Sequence, residues 1–272
     1  MKISIAISTF EAGGQGANMI NFSLKKIMEQ TWAFKEVVIS DHSKDDKIKN
    51  EIKKFPNLDI KYIRYKENYG SNSCNTNNAM NHCTGNFIKV LFMDDYLYDP
   101  KCLEKIVLSF DKNPICDWLV NSYWHTRDRK KLYNLIHPKW NNKLLEGVNT
   151  IGCPSNLTIR SSVKERFDKN LIWLMDVEYY YRLKKKHGNP IYLHEPLNVQ
   201  LIHSEQLTSQ GANKLEKKEK NYLKSKYNKI CAPHIVVGEC SECGCKREKN
   251  KYSKKQWRKK EGRRCKICTG LA

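Results

Sequence analysis

The sequence predicts an α/β protein with a mostly parallel sheet flanked by helices, followed by a small cysteine-rich C-terminal module. Three observations predict it. Short apolar, β-branched runs alternate with segments of helical periodicity from the first residues to about 121. Those runs are continuously apolar, as strands buried on both faces are. Five of the eleven cysteines, Cys240, Cys243, Cys245, Cys265 and Cys268, crowd the last 33 residues.

Taken in order, residues 3–8 (ISIAIS) read as a buried strand, ended by Thr9 and a Gly-rich loop. Residues 18–30 read as a helix, with Ile20, Leu24, Ile27 and Met28 on one face. Residues 36–40 form a second strand, ending at Asp41. A polar helix over 45–54 leads to a third strand over 59–64. The Asn68-Tyr69-Gly70 turn enters a helix over 72–83, and a fourth strand over 87–93 ends at Asp94 and Asp95. Pro100 opens a helix whose apolar face is Leu103, Ile106, Val107 and Phe110, and residues 117–121 make another strand. Beyond 125 the pattern weakens. A helix over 174–187 stops at Gly188-Asn189-Pro190, and a short strand IYLH precedes a loop with His203. A lysine-rich helix over 213–228 and a linker through Gly238 lead to the cysteines. The expected division is 1–212, 213–238 and 239–272.

Composition narrows the classes. At 40% hydrophobic over 272 residues, the chain has enough apolar material for one sizeable core. No apolar run approaches the roughly 18 residues that span a bilayer, so no transmembrane segment is expected. MKISIAISTF reads as a first core strand rather than a leader, which implies a cytoplasmic protein with reduced thiols. The net charge is +20, and from Lys214 onward there are 19 Lys and Arg against 6 Asp and Glu. Such an excess implies a nucleic acid or protein partner for the tail, or else a solvated helix face.

Two patterns carry chemistry. Asp41, the Asn68–Gly70 turn and Asp94–Asp95 all follow strand ends, and in parallel α/β sheets ligands bind there. Several carboxylates at one edge suit a divalent cation and a phosphorylated ligand; the other reading of Asp94–Asp95 is a solvated surface turn. At the C-terminus, Cys240/Cys243 and Cys265/Cys268 form two Cys-x-x-Cys pairs separated by 21 residues. Four thiolates so spaced suit a closed tetrahedral structural Zn²⁺ site, in a module that folds only with its metal.

Over residues 1–210 the motif order resembles family 2 of the nucleotide-sugar-dependent glycosyltransferases, which have the GT-A fold. The resemblance rests on ISIAISTF, LKKIMEQTWAFKEVVISDHSKDD, ENYGSNSCNTNNAMNHCTGNFIKVLFMDD, and IWLMDVEYYYRL followed by His203. It implies an inverting transfer of a sugar from a UDP- or GDP-type donor to an acceptor hydroxyl, with Mn²⁺ or Mg²⁺. The acceptor itself stays unknown. Thr9, Phe10 and Glu11 would lie near the nucleotide. Asp41 would contact the base, or cap the following helix. Asn68 and Gly70 would flank the donor, Asp95 would bind the metal, and Asp94 would lie near the ribose or metal. The family often has Asp-x-Asp-Asp where this chain has Phe92-Met93-Asp94-Asp95. Asp176 matches the general base, with Glu178 as the alternative and an N-cap as the structural reading. His203 matches a histidine that completes the metal or diphosphate site, or is an ordinary loop residue. The cysteine module resembles zinc ribbons and treble clefs. A second reading is a nucleic-acid- or protein-binding zinc protein whose transferase-like body has lost catalysis.

Overall fold

The structure is a computed structural model that describes residues 1–206, 213–228, 237–239, 241, 246–248 and 259. The predicted zinc ligands Cys240, Cys243, Cys265 and Cys268 lie outside the described residues. The chain divides into two compact units, Met1–Asn221 and Tyr222–Ala272. In the second, β10 (Val237–Glu239) pairs antiparallel with β11 (Lys246–Glu248).

The first unit opens with β1 (Ile3–Thr9), α1 (Gly16–Met28), β2 (Lys35–Asp41), α2 (Lys47–Ile52) and β3 (Ile60–Arg64). It continues with α3 (Asn72–Asn81), β4 (Phe87–Phe92), the two-residue β5 (Tyr96–Leu97) and α4 (Cys102–Lys112). These match the sequence expectation to within a few residues, apart from β5. Strands β3, β2, β1 and β4 lie side by side and parallel. All seven residues of β1 are buried. Ile3, Ile5 and Ile7 share one core cluster with Ile20, Leu24 and Ile27 of α1 and Leu103, Ile106 and Phe110 of α4. Each such side chain contributes about 1.5–3 kcal/mol on burial. The opposite face is polar where α3 covers it: Thr76 Oγ1 donates to Ser8 Oγ at 3.1 Å. Ser71 caps α3 by accepting from the Cys74 N–H. Gly16 is required where the loop after β1 folds back, since a Cβ there would sit 2.2 Å from the Phe10 carbonyl oxygen.

The second half corrects the mostly parallel expectation. It adds β6 (Trp118–Thr126), β7 (Leu132–Ile136), β8 (Leu157–Arg160), α5 (Met175–His187), β9 (Ile191–Leu201) and α6 (Asn213–Asn228). The sheet order is β3-β2-β1-β4-β8-β6-β9-β5, with β7 on β6. β8 is antiparallel to both β4 and β6, whereas β6 and β9 are parallel. The sheet is therefore mixed. β8 escapes sequence reading because only four residues, LTIR, form it after a polar turn. The strand read as IYLH runs on to Leu201, because register shifts near Ser122 absorb Pro196 opposite it. Among the described residues no helix is long and apolar enough to cross a membrane.

Candidate active site

The strand ends of β1, β2, β4, β6 and β9 open into one cleft of about 690 Å³, closed from the other side by residues 147–154 and the start of α5. At one end, Phe10, His42, Tyr69 and Gly70 form the wall, with Asn72 and Asn75 of α3 beneath. The His42 ring stacks on Tyr65 at 5.1 Å between centroids, and its Nε2 lies 3.1 Å from the Glu67 carbonyl oxygen. Burial lowers its pKa, which favours the neutral ring. Lys44 sits over the Tyr69 ring at 4.6 Å.

Asp41 is fully buried behind this wall. Its Oδ1 accepts from the Ser43 N–H at 2.9 Å and Thr9 Oγ1 at 3.1 Å, and its Oδ2 accepts from the Tyr62 hydroxyl at 2.6 Å. Arg64 Nε lies 3.5 Å from the same Oδ2. Asp41 thus turns into the protein and shapes the β2 loop that presents His42. It does not cap α2, whose N-cap is Asp46. Thr9 is buried, and its carbonyl oxygen accepts from Asn75 Nδ2 at 3.0 Å. Glu11 accepts from the Lys44 N–H and the Tyr69 hydroxyl, tying the β1 and β2 loops together. Asn68 adopts φ +51° at the turn, and Gly70 lines the cleft at φ +82°.

The two adjacent aspartates both line the cleft but differ in burial. Asp95 is 1% exposed; its Oδ1 accepts from the Leu201 N–H at 3.2 Å, and Cys153 Sγ lies 3.5 Å from Oδ2. Burial, then the Asp94 charge, raises its pKa well above the ordinary carboxylate range. Asp94 reaches the cleft, where its Oδ2 lies 2.9 Å from His203 Nε2 and accepts from Gln206 Nε2 at 3.4 Å. Beneath them, Lys89 is fully buried on β4 and donates to Asn121 Oδ1 and the Ser155 carbonyl oxygen, while Ser155 Oγ accepts from the Phe92 N–H. Burial lowers the Lys89 pKa to about 7. Among the described residues, no three or more of His, Cys, Asp and Glu are grouped so as to hold a metal ion. Asp94 and His203 instead make a pair.

Asp176 sits in the first turn of α5, facing the same cleft. Its Oδ2 accepts from Asn149 Nδ2 at 2.7 Å and its Oδ1 from the Val177 N–H at 2.7 Å. Burial in the cleft wall pushes its pKa up to about 7, against the N–H donors and Asn149 that favour the anion. The N-cap position belongs to Leu174, so Asp176 is not the cap. Glu178 is buried and pairs with Arg182 through two contacts, Nε–Oε1 at 2.7 Å and Nη2–Oε2 at 2.8 Å. It does not line the cleft, and this separates the two acidic residues that the sequence left open.

The sequence did not single out His42, Tyr69 or Asn149. His42 and Tyr69 were flanked by residues that were read, and an aromatic beside a strand end is the signal that could have found them. Asn149 lies in a segment without periodicity and had no such signal.

Residues 4–167 match the family model described as Glycosyl transferase family 2. No curated protein matches the chain. Solved structures share its fold at low identity. S. aureus TarS 1-349 has a TM-score of 0.58 at 15% identity, covering 84% of this chain and 71% of that one. The same TarS fragment in complex with UDP-GlcNAc gives 0.59 at 15%, covering 80% and 66%. The mannosyltransferase PcManGT from Pyrobaculum calidifontis, in complex with GDP-Man and Mn2+, gives 0.60 at 14%, covering 84% and 64%. Against the longer TarS chain the match spans 43% of its length. The family match covers more than half of the chain and takes in the loops after β1, β2 and β4, so this chain belongs to glycosyl transferase family 2.

Proposed function

We propose that the chain is an inverting, nucleotide-sugar-dependent glycosyltransferase with Asp176 as general base. The observation that carries this is one cleft holding an aromatic-walled end and, beyond it, a carboxylate whose pKa of about 7 suits proton transfer near neutrality. A base of the UDP or GDP type packs between Phe10, Tyr69 and His42. Asp176 takes the proton of the acceptor hydroxyl as its oxygen bonds to the anomeric carbon. The bond from that carbon to the donor phosphate breaks, and the nucleoside diphosphate leaves with the electron pair. Buried Asp95 holds the β9 end through the Leu201 N–H, and Lys89 anchors the turn at Ser155.

Asp94 and His203 fit a divalent cation: a cleft-facing carboxylate and an imidazole converge within 2.9 Å. Mn²⁺ and Mg²⁺ are commonly held by one or two protein groups plus substrate phosphates. When bound, such an ion neutralises the charge on the leaving diphosphate. We give direct ligation to Asp94, which is paired with His203, rather than to Asp95, which is buried against the Leu201 N–H and the Cys153 thiol.

The spacing of Cys240, Cys243, Cys265 and Cys268 supports a structural Zn²⁺ in the basic tail, which then serves as a docking module for an anionic partner. The test of the whole reading is a thermal-shift screen against UDP, GDP, TDP and CMP with and without Mn²⁺. Stabilisation by one nucleotide that requires Mn²⁺ and is lost in Asp94→Ala supports the transferase. No shift with any nucleotide on folded protein favours a binding protein with an inactive body.

A further inference from the structure

The lysine-rich helix α6 turns one acidic residue inward. Glu219 is 4% exposed, although its neighbours Lys217 and Lys218 face solvent. Its Oε1 accepts from the Ile172 N–H at 2.8 Å and its Oε2 from the Leu174 N–H at 2.7 Å; the Trp173 N–H lies between, 3.0 Å from Oε2 and 3.3 Å from Oε1. Three successive main-chain N–H groups thus enclose one carboxylate immediately before α5. Such a nest, at the positive end of a 13-residue helix, is an anion site, and here the anion is built into the chain. Ile172, Trp173 and Leu174 all line the cleft, and Asp176 follows two residues later.

We propose that Glu219 is a positioning residue for the transfer: by holding these three N–H groups it fixes the start of α5 and with it the direction of the Asp176 carboxylate. The proposal rests on the reading of Asp176 as base. No side chain caps α5 at Leu174, and Glu219, from a distant part of the chain, holds instead the three N–H groups that lead into the helix. It has a second effect, because its negative charge adds to burial in raising the Asp176 pKa. The other groups bearing on Asp176 are Asn149, which donates to it, and the buried hydroxyls of Tyr123 and Tyr180, whose own pKa values its charge helps raise. The Glu216–Lys220 pair of α6 lies beside Gly147, at the edge of the same cleft wall.

The test follows the Asp176 carboxyl by ¹³C NMR in ¹³C-aspartate-labelled full-length protein, assigned with Asp176→Asn. Amide exchange of residues 171–176 and nucleoside diphosphate release from UDP-GlcNAc or GDP-mannose are measured beside it. Glu219→Gln removes the charge and sets an amide NH₂ against the N–H nest. The expected result is a lower Asp176 pKa, faster exchange at 172–174 and turnover reduced about tenfold or more, with donor KM little changed. Glu219→Asp keeps the charge but withdraws it by one methylene, so exchange and turnover change while the pKa holds nearer its wild-type value. It also serves if Glu219→Gln does not fold. Lys218→Gln, on the exposed face, changes none of these. An unaltered Asp176 pKa and unaltered exchange in folded Glu219→Gln overturn the proposal. Full activity in Asp176→Asn overturns the underlying base assignment instead, whatever Glu219 does.

Discussion

The two ends of the cleft are built by different means. The aromatic end rests on β1, β2 and α3, elements close in sequence and joined by parallel pairing. Its acidic residue, Asp41, points away from the cleft and is consumed by Thr9, Ser43 and Tyr62. The other end draws on segments far apart in sequence: His203 meets Asp94 across 109 residues, and Asn149 meets Asp176 across 27. There the acidic groups face the cleft. At one end the carboxylate is turned into the protein; at the other, carboxylates line the cleft.

The comparison breaks most sharply at Asp176. Asp176→Asn should lower kcat by roughly 10²–10⁴ while leaving nucleotide affinity unchanged. In the wild type, kcat/KM should fall as pH drops below about 7, because the protonated acid no longer accepts the acceptor's proton. Stability has the opposite sign. A carboxyl whose folded pKa is raised from 3.8 to about 7 destabilises the fold progressively as pH rises through that window. Asp176→Asn should therefore raise Tm at pH 8, and an unchanged Tm would argue against a raised pKa.

Next in size is Asp94→Ala, which should abolish the Mn²⁺ dependence of nucleotide binding in a thermal-shift titration. Asp95→Asn should instead leave that dependence in place. If Asp95→Asn removes metal dependence and Asp94→Ala does not, the two roles are exchanged.

At the aromatic end, Asp41→Asn should cost about 1–3 kcal/mol of stability in a denaturant titration, since one buried donor loses its acceptor. Its effect on turnover should follow from that loss alone. Smallest is Tyr69→Ala, which should weaken nucleotide binding by about 1 kcal/mol, near fivefold, through lost stacking on the base. A similar loss in calorimetry for nucleotides of every base would fit a stacking wall; loss for one base only would point to hydrogen-bond readout.

The same contrast explains what was legible. Residues 3–112 could be read because each strand and helix announces itself locally: ISIAIST is buried along its whole length, and α4 carries one clean apolar face. The stretch 125–170 could not. β8 is four residues long and β7 is half-buried, so neither has a period long enough to detect; further on, the bulge at Pro196 hid the continuation of β9 beyond the four residues read. Among the site residues, Asp94, Asp176 and His203 were legible as types in the right order. Glu219 was not, because a glutamate in a run of lysines looks like solvated helix until the chain folds its carboxylate against the N–H groups of Ile172, Trp173 and Leu174.

By itself the sequence determined the α/β class, the strands and helices of the parallel first half and the set of acidic residues at strand ends, all of which depend on local periodicity and composition. Only the tertiary structure decided which of those acids line the cleft. Asp41 and Glu178 turn their carboxylates into the protein, whereas Asp94, Asp95 and Asp176 line the cleft, Asp95 the most deeply buried of the three. Burial and hydrogen bonding set the character of a carboxylate, and both arise from neighbours that are distant in the chain.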